Sequence, residues 1–137
     1  MKQTFDLDTM LFNLLKGSPE VVSEISGDVY SLGERPDDSQ DEDIVVNSID
    51  LTQEYLPQLG TSNVNIHVSD MEVQIKKKKQ KKANRKRLKA ISTIVLKTLK
   101  AAKFDGLAMV VTNQTVLNEP SLSQHYVNIR IDWIIHP

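Results

Sequence analysis

The sequence predicts an α+β fold: a mostly antiparallel sheet with one long helix packed on one face and a short N-terminal helix. Apolar residues recur at helical spacing in two segments, near positions 7–15 and 83–102. Five other segments are short and rich in β-branched residues, or alternate between apolar and polar residues. These predicted strands lie on both sides of the long helix, a pattern typical of α+β domains.

The N-terminal segment predicts two helices. Asp6 or Asp8 is placed to cap the first one, and Gly17 ends it. A second, short helix is expected over 21–25, ending before Gly27. The apolar face of the first helix is expected to comprise Leu7, Met10, Leu11, Leu14 and Leu15.

Three predicted strands follow. Val29–Leu32 is a short extended segment, and Ile44–Asp50 is β-branched and bounded by polar residues. Between them lies an acidic loop with a proline, Glu34–Asp43, which is expected to be solvated. After a connection over Leu51–Gly60, the segment Asn63–Asp70 alternates with the period of a half-buried strand.

The C-terminal half predicts the long helix and the last two strands. Whether the third strand continues through Val73 and Ile75 is open, and so is an extension of the Leu107–Thr112 strand through Val116–Leu117 past a bulge. The last strand alternates most clearly, with Val127, Ile129, Ile131, Trp133 and Ile135 predicted to face inward. The helix, near 83–102, has an apolar face of Leu88, Ile91, Val95, Thr98, Leu99 and Ala102.

Charge divides the chain into two halves. Residues 1–75 contain three basic and fifteen acidic residues, whereas residues 76–137 contain fourteen basic and three acidic residues. The halves therefore carry net charges of −12 and +11, which sum to the overall −1. Such a division suits two partners for the positive half: a polyanion such as DNA, or the negative half of a second copy.

Most of the positive charge lies in one run, since ten of the fourteen residues in Lys76–Lys89 are Lys or Arg. We expect a mobile, solvated segment near 76–87, because its side chains gain no apolar burial to offset the cost of ordering. The cations at the start of the helix also oppose the helix dipole, so a nearby anion would stabilise them. The candidate polyanion or subunit contact comprises Lys76, Lys77, Lys78, Lys79, Lys81, Lys82, Arg85, Lys86 and Arg87.

The acidic loop is the matching candidate, within the chain or from a neighbour. Six of its ten residues are acidic. The candidate acidic subunit contact comprises Glu34, Asp37, Asp38, Asp41, Glu42 and Asp43. A mobile segment that serves no partner is the third interpretation of the basic run.

No catalytic or cofactor constellation is recognisable. The chain lacks cysteine, which excludes disulfides and thiolate metal sites. His67 and Asp70 are expected on opposite faces of a strand, so they do not predict a metal pair. The glycines are scattered singly, without a phosphate-binding loop. The sequence therefore predicts no enzyme, no cofactor and no small-molecule substrate.

Length and composition indicate the number of domains and whether the chain could enter a membrane. A chain of 137 residues suits one domain spanning 1–137. The N-terminus does not resemble a secretory signal, and no apolar run approaches the ~20 residues that a membrane helix needs. We therefore expect a soluble, intracellular protein without a membrane partner. Few aromatic residues accompany the basic run, so a base-stacking platform is not indicated.

Taken in order, the whole chain resembles the tail-terminator and tail-completion proteins of long-tailed phages and prophages. Leu11–Asp50 resembles their opening pattern of a helix, a short helix leading into a Val-Tyr strand, an acidic loop with proline and a β-branched strand. Ser62–Asp70 resembles their next strand, and the long helix then leads to a C-terminal strand pair ending in His125–Ile135.

This resemblance implies a structural protein of virion assembly, a ring-forming tail terminator or head–tail connector. It also implies a homo-oligomer, typically a hexameric ring, through which DNA passes. Its partners would be other tail or neck proteins, in the host cytoplasm during assembly and then in the neck or tail of the virion. The alternative is a nucleic-acid-binding module that acts through the basic run without sequence preference.

Overall fold

A computed structural model describes all residues of the chain, 1–137. The elements in order are α1 (Thr4–Lys16), α2 (Pro19–Glu24), β1 (Val29–Ser31), β2 (Asp43–Leu51), β3 (Gln58–Ser69), β4 (Met71–Ile75), β5 (Lys78–Lys82), α3 (Arg85–Ala101), β6 (Leu107–Glu119), a 3-10 turn (Pro120–Leu122) and β7 (Gln124–Ile135).

The main sheet has five strands in the order β1-β2-β3-β7-β6. Only β1 and β2 run parallel, and every other neighbouring pair is antiparallel. The helices pack on the apolar face of this sheet. The predicted α+β class, the mostly antiparallel sheet, the long helix and the short N-terminal helix are confirmed.

The core lies between the apolar faces of the helices and the apolar face of the main sheet. Leu7, Leu11 and Leu15 of α1 are fully buried, as their spacing of four residues on one helix face predicts. The inward face of β7 is buried as predicted, and it joins the α3 side chains Leu88, Ile91, Val95 and Leu99 in one cluster. The longer form of the sixth strand is confirmed, with a register shift between Val111 and Asn113.

The structure decides one strand end that the sequence leaves open, and it places two paired strands where a loop is expected. The third strand does not continue through Ile75: β3 ends at Ser69, and the backbone N–H of Asp70 donates to the carbonyl of Ser123. The basic run is not a loop, because β4 and β5 pair as a separate antiparallel hairpin. We call residues 71–82 the basic hairpin. Its predicted mobility stays a prediction.

Candidate functional site

The basic hairpin turns at Lys76 and Lys77. Both residues have positive φ, 50° and 65°, which suits the right-handed twist of a two-residue hairpin turn. Lysine rarely adopts this conformation, because its Cβ crowds the backbone there. All six lysines of the hairpin are exposed, and Lys79 alone approaches a carboxylate, that of Glu72 at 3.8 Å. The hairpin is therefore a concentrated cationic surface.

The first turn of α3 extends this surface. Asn84 caps the helix by accepting a hydrogen bond from the backbone N–H of Arg87. Arg85 and Lys86 are exposed and make no ion pair. The cap thereby positions both cations at the positive end of the helix dipole, where an anion would bind favourably.

Arg87 points inward instead. Its Nε and one terminal nitrogen donate to both carboxylate oxygens of Glu42, at 2.7 and 2.8 Å. The other terminal nitrogen donates to the carboxylate of Glu24 at 2.8 Å. The bond from Arg87 holds the pKa of Glu42 below its usual range, and Glu42 in turn raises the pKa of Arg87. This ion pair ties α3 to the acidic loop within one chain.

Asp43 is also engaged internally. Its side chain is 1% exposed and accepts hydrogen bonds from Arg35 Nε at 2.8 Å, Ser39 Oγ at 2.6 Å and the Asp28 backbone N–H at 2.9 Å. A methyl group on Gly27 would lie 1.8 Å from the same carboxylate, so glycine is required for this approach. Asp43 therefore stabilises the loop rather than presenting charge to solvent.

The predicted candidates thus fall into two groups. Glu42, Asp43 and Arg87 lie in contacts within the chain, and we restrict the intermolecular contact to the remaining residues. The four exposed carboxylates of the loop, none of them in an ion pair, are Glu34, Asp37, Asp38 and Asp41. The exposed cations are Lys76, Lys77, Lys78, Lys79, Lys81, Lys82, Arg85 and Lys86.

The histidines form contacts that sequence reasoning missed. Asp70 does not approach His67, as expected, but it accepts a hydrogen bond from His125 Nδ1 at 2.6 Å. The register of β3 on β7 brings Asp70 and His125 together, because Val68 lies opposite His125.

No group of three or more His, Cys, Asp or Glu side chains is placed to hold a metal ion. No helix is long and apolar enough to cross a bilayer.

His67 stacks on Tyr126 with ring centroids 5.1 Å apart. Burial, with a smaller contribution from Arg35, lowers the pKa of His67 from 6.5 to about 4, whereas Asp43 and Glu119 oppose the shift. The folded protein keeps a neutral imidazole while the unfolded chain binds a proton. The stabilisation is therefore complete above pH 6.5 and is lost as the pH falls towards 4.

We expect His67→Phe to flatten part of this acid dependence, because phenylalanine packs on Tyr126 but never binds a proton. Between pH 7 and 4.5, wild type should lose about 1–2 kcal/mol more stability than the variant, after allowing for the partial exposure of the ring. Urea unfolding at several pH values measures this difference, with His136→Gln as the exposed control. Parallel pH profiles for wild type and His67→Phe would contradict the assignment.

Comparison with known proteins finds a similar fold among solved structures but no matching family model. No family model matches the chain. No curated protein matches it either. Among solved structures, a chain in the virion of a native gene transfer agent particle superposes with a TM-score of 0.65. The two chains share a fold. The alignment covers 93% of this chain and 92% of that chain at 9% sequence identity, so the likeness concerns architecture and not individual side chains.

Proposed function

We propose that this chain is a structural protein of a phage-like virion, and specifically a ring-forming tail terminator or head–tail connector. The observation that carries the proposal is the fold shared, over nearly the full length of both chains, with a component of a gene transfer agent virion. The proposed role requires no catalysis and no cofactor.

The charges support assembly into a ring. Opposite charges lie on two different segments, the exposed carboxylates of the acidic loop and the exposed cations of the basic hairpin and first turn of α3. Two different patches favour a head-to-tail contact, which closes into a ring when the rotation allows. Complementary charge also disfavours contacts between like patches. We infer a homo-oligomer, typically a hexamer, that joins other tail or neck proteins.

The proposal predicts association that depends on salt. At about 1 M salt the screening length falls to roughly 3 Å, so contacts between the charged patches should weaken. Light scattering should show oligomers at low salt and smaller species at high salt. A monomer at every salt and protein concentration would argue against self-assembly.

A second candidate, sequence-independent DNA binding through the basic hairpin, is favoured by its six exposed lysines. Changing Lys76–Lys79 to Gln should then weaken duplex DNA binding and flatten its salt dependence, because fewer counterions are released. Lys100→Gln/Lys103→Gln removes two exposed charges elsewhere and serves as the control. Lost DNA binding with intact assembly assigns the hairpin to DNA, whereas lost assembly assigns it to the subunit contact.

A further inference from the structure

A groove with an apolar floor lies between α3 and the outer strand β6. Leu88 and Leu96 line it from the helix, and Val116 and Val127 line it from the sheet. Val116 is 49% exposed, although its neighbours in the core cluster are buried. Leu88 and Val127 are buried, so the open apolar surface of the groove comes from Val116 and the partly exposed Leu96.

The outer edge of β6 forms one wall of this groove. The strand pairs only with β7, so its other side carries unpaired backbone donors and acceptors over Leu107–Glu119. No charged residue occurs from Leu107 to Asn118. Natural sheets normally protect such an edge with lysine, proline or a short strand. A long, uncharged and open edge is suited to pair with a strand from another chain.

Ser92 is a second, independent indication of a ligand. It lines the groove from α3, it is 3% exposed, and its Oγ has no hydrogen-bond partner. Buried hydroxyls nearly always have a partner, and a lone one is destabilising. A backbone group or carboxylate that entered the groove would provide the missing bond.

The rim selects the charge of the occupant. Arg85, Lys86 and Lys89 surround the groove at its α3 side, and none of them takes part in an ion pair. The basic hairpin of a neighbour would be repelled there. The groove therefore fits a segment that combines an apolar side chain with several carboxylates.

We propose that the groove binds segment 32–41 of a second copy of this chain. Leu32 is 63% exposed and supplies the apolar side chain, and the four free carboxylates of the acidic loop follow it. Arg35 holds the loop in place through Asp43, Ser39 and Gln124, so little ordering cost accompanies binding.

The topology agrees with this contact. Segment 32–41 follows β1 and crosses the ends of β3 and β7, where the carbonyl of Gln40 accepts from Ser69 Oγ and that of Ser39 accepts from Gln124, whereas the groove lies between α3 and β6. Two different surfaces of the chain give a head-to-tail contact that each copy can repeat. This contact rests on the proposed ring, and it names the two surfaces that meet between neighbouring copies.

Cross-linking tests the contact directly, because the chain contains no cysteine of its own. A Thr93→Cys variant, changed on the exposed groove wall, is mixed at low salt with an Asp38→Cys variant and treated with a short bis-maleimide. We expect a covalent dimer in the mixture and little in either variant alone. Lys103→Cys mixed with Asp38→Cys is the control and should remain monomeric.

Three results would overturn the inference. If wild type assembles but the mixture cross-links no more than the control, the contact is wrong and the proposed ring stands. A dimer formed by Thr93→Cys alone would show that the grooves of two copies face each other instead. If wild type never assembles, the ring and this contact both fail.

Charge reversal provides the matched second measurement. Arg85→Glu/Lys89→Glu should weaken self-association about tenfold or more, and the new glutamate at the start of α3 suits the helix dipole, so folding should survive. Asp37→Lys/Asp38→Lys should have the same effect. Mixing the two variants should restore association, because each reversed surface then meets its complement. Failure of this rescue, with each variant folded by circular dichroism, would contradict the assignment.

Discussion

Truncation of Trp133 to alanine is expected to lower the free energy of unfolding by about 3–5 kcal/mol. The side chain is 1% exposed in the centre of the core cluster, and its ring lies 6.1 Å from that of Phe104. Its Nε1–H donates to Ser62 Oγ at 2.8 Å, and this hydroxyl lies 2.7 Å from Ser48 Oγ. The substitution removes a large apolar volume and also leaves a buried hydroxyl pair without its donor.

Two further variants separate these effects. Trp133→Phe keeps most of the apolar volume but loses the donor, so it should cost less than the alanine change. Ser62→Ala leaves the indole N–H unpaired and should cost about 1–3 kcal/mol. Urea unfolding followed by circular dichroism suits all three variants. A loss below about 1 kcal/mol for Trp133→Ala would contradict its place in the core.

Asp43→Ala is expected to destabilise the protein by about 3–5 kcal/mol, because it leaves a buried cation without its counter-charge. The Arg35 side chain is 11% exposed, and its Nε donates directly to Asp43. The change also removes the acceptor for Ser39 and for the backbone of Asp28. The acidic loop should loosen at the same time, since these bonds hold it against β2.

Asp37→Ala is the matched control, because this carboxylate is exposed and makes no ion pair. We expect a change within about 0.5 kcal/mol for it. Asp43→Asn keeps the shape but not the charge and should fall between the two. Similar stability of Asp43→Ala and Asp37→Ala in urea unfolding would show that Asp43 is not a structural residue.

Local patterns in the sequence suffice for most of the fold. The helical stripes of α1 and α3 and the alternation of β7 place apolar side chains on one face, which identifies each element and its buried side. Trp133 shares that alternation with its neighbours, so its burial follows from the pattern alone. The β-branched run of β2 and the extension of β6 past a bulge follow in the same way.

The basic hairpin shows where local patterns fail. Lysine runs have low strand propensity, and residues 76–82 bury no apolar side chain that would reveal a period. Their partner strand, Met71–Ile75, carries its apolar residues at odd positions, whereas β3 buries its even positions, so a shift in phase marks the break near Asp70 but does not identify the strand that pairs with β4. Backbone pairing across the turn at Lys76 and Lys77 decides the structure there.

For the charged residues, too, the sequence gives one part of the description and the tertiary structure gives the other. Composition alone separates an acidic half from a basic half, because counting charge requires no geometry. Only the tertiary structure decides which charges are free. Arg87 meets Glu42, 45 positions away, and the groove joins side chains of α3 to those of β6 and β7. Such contacts depend on how distant elements pack, and no local period in the sequence encodes that packing.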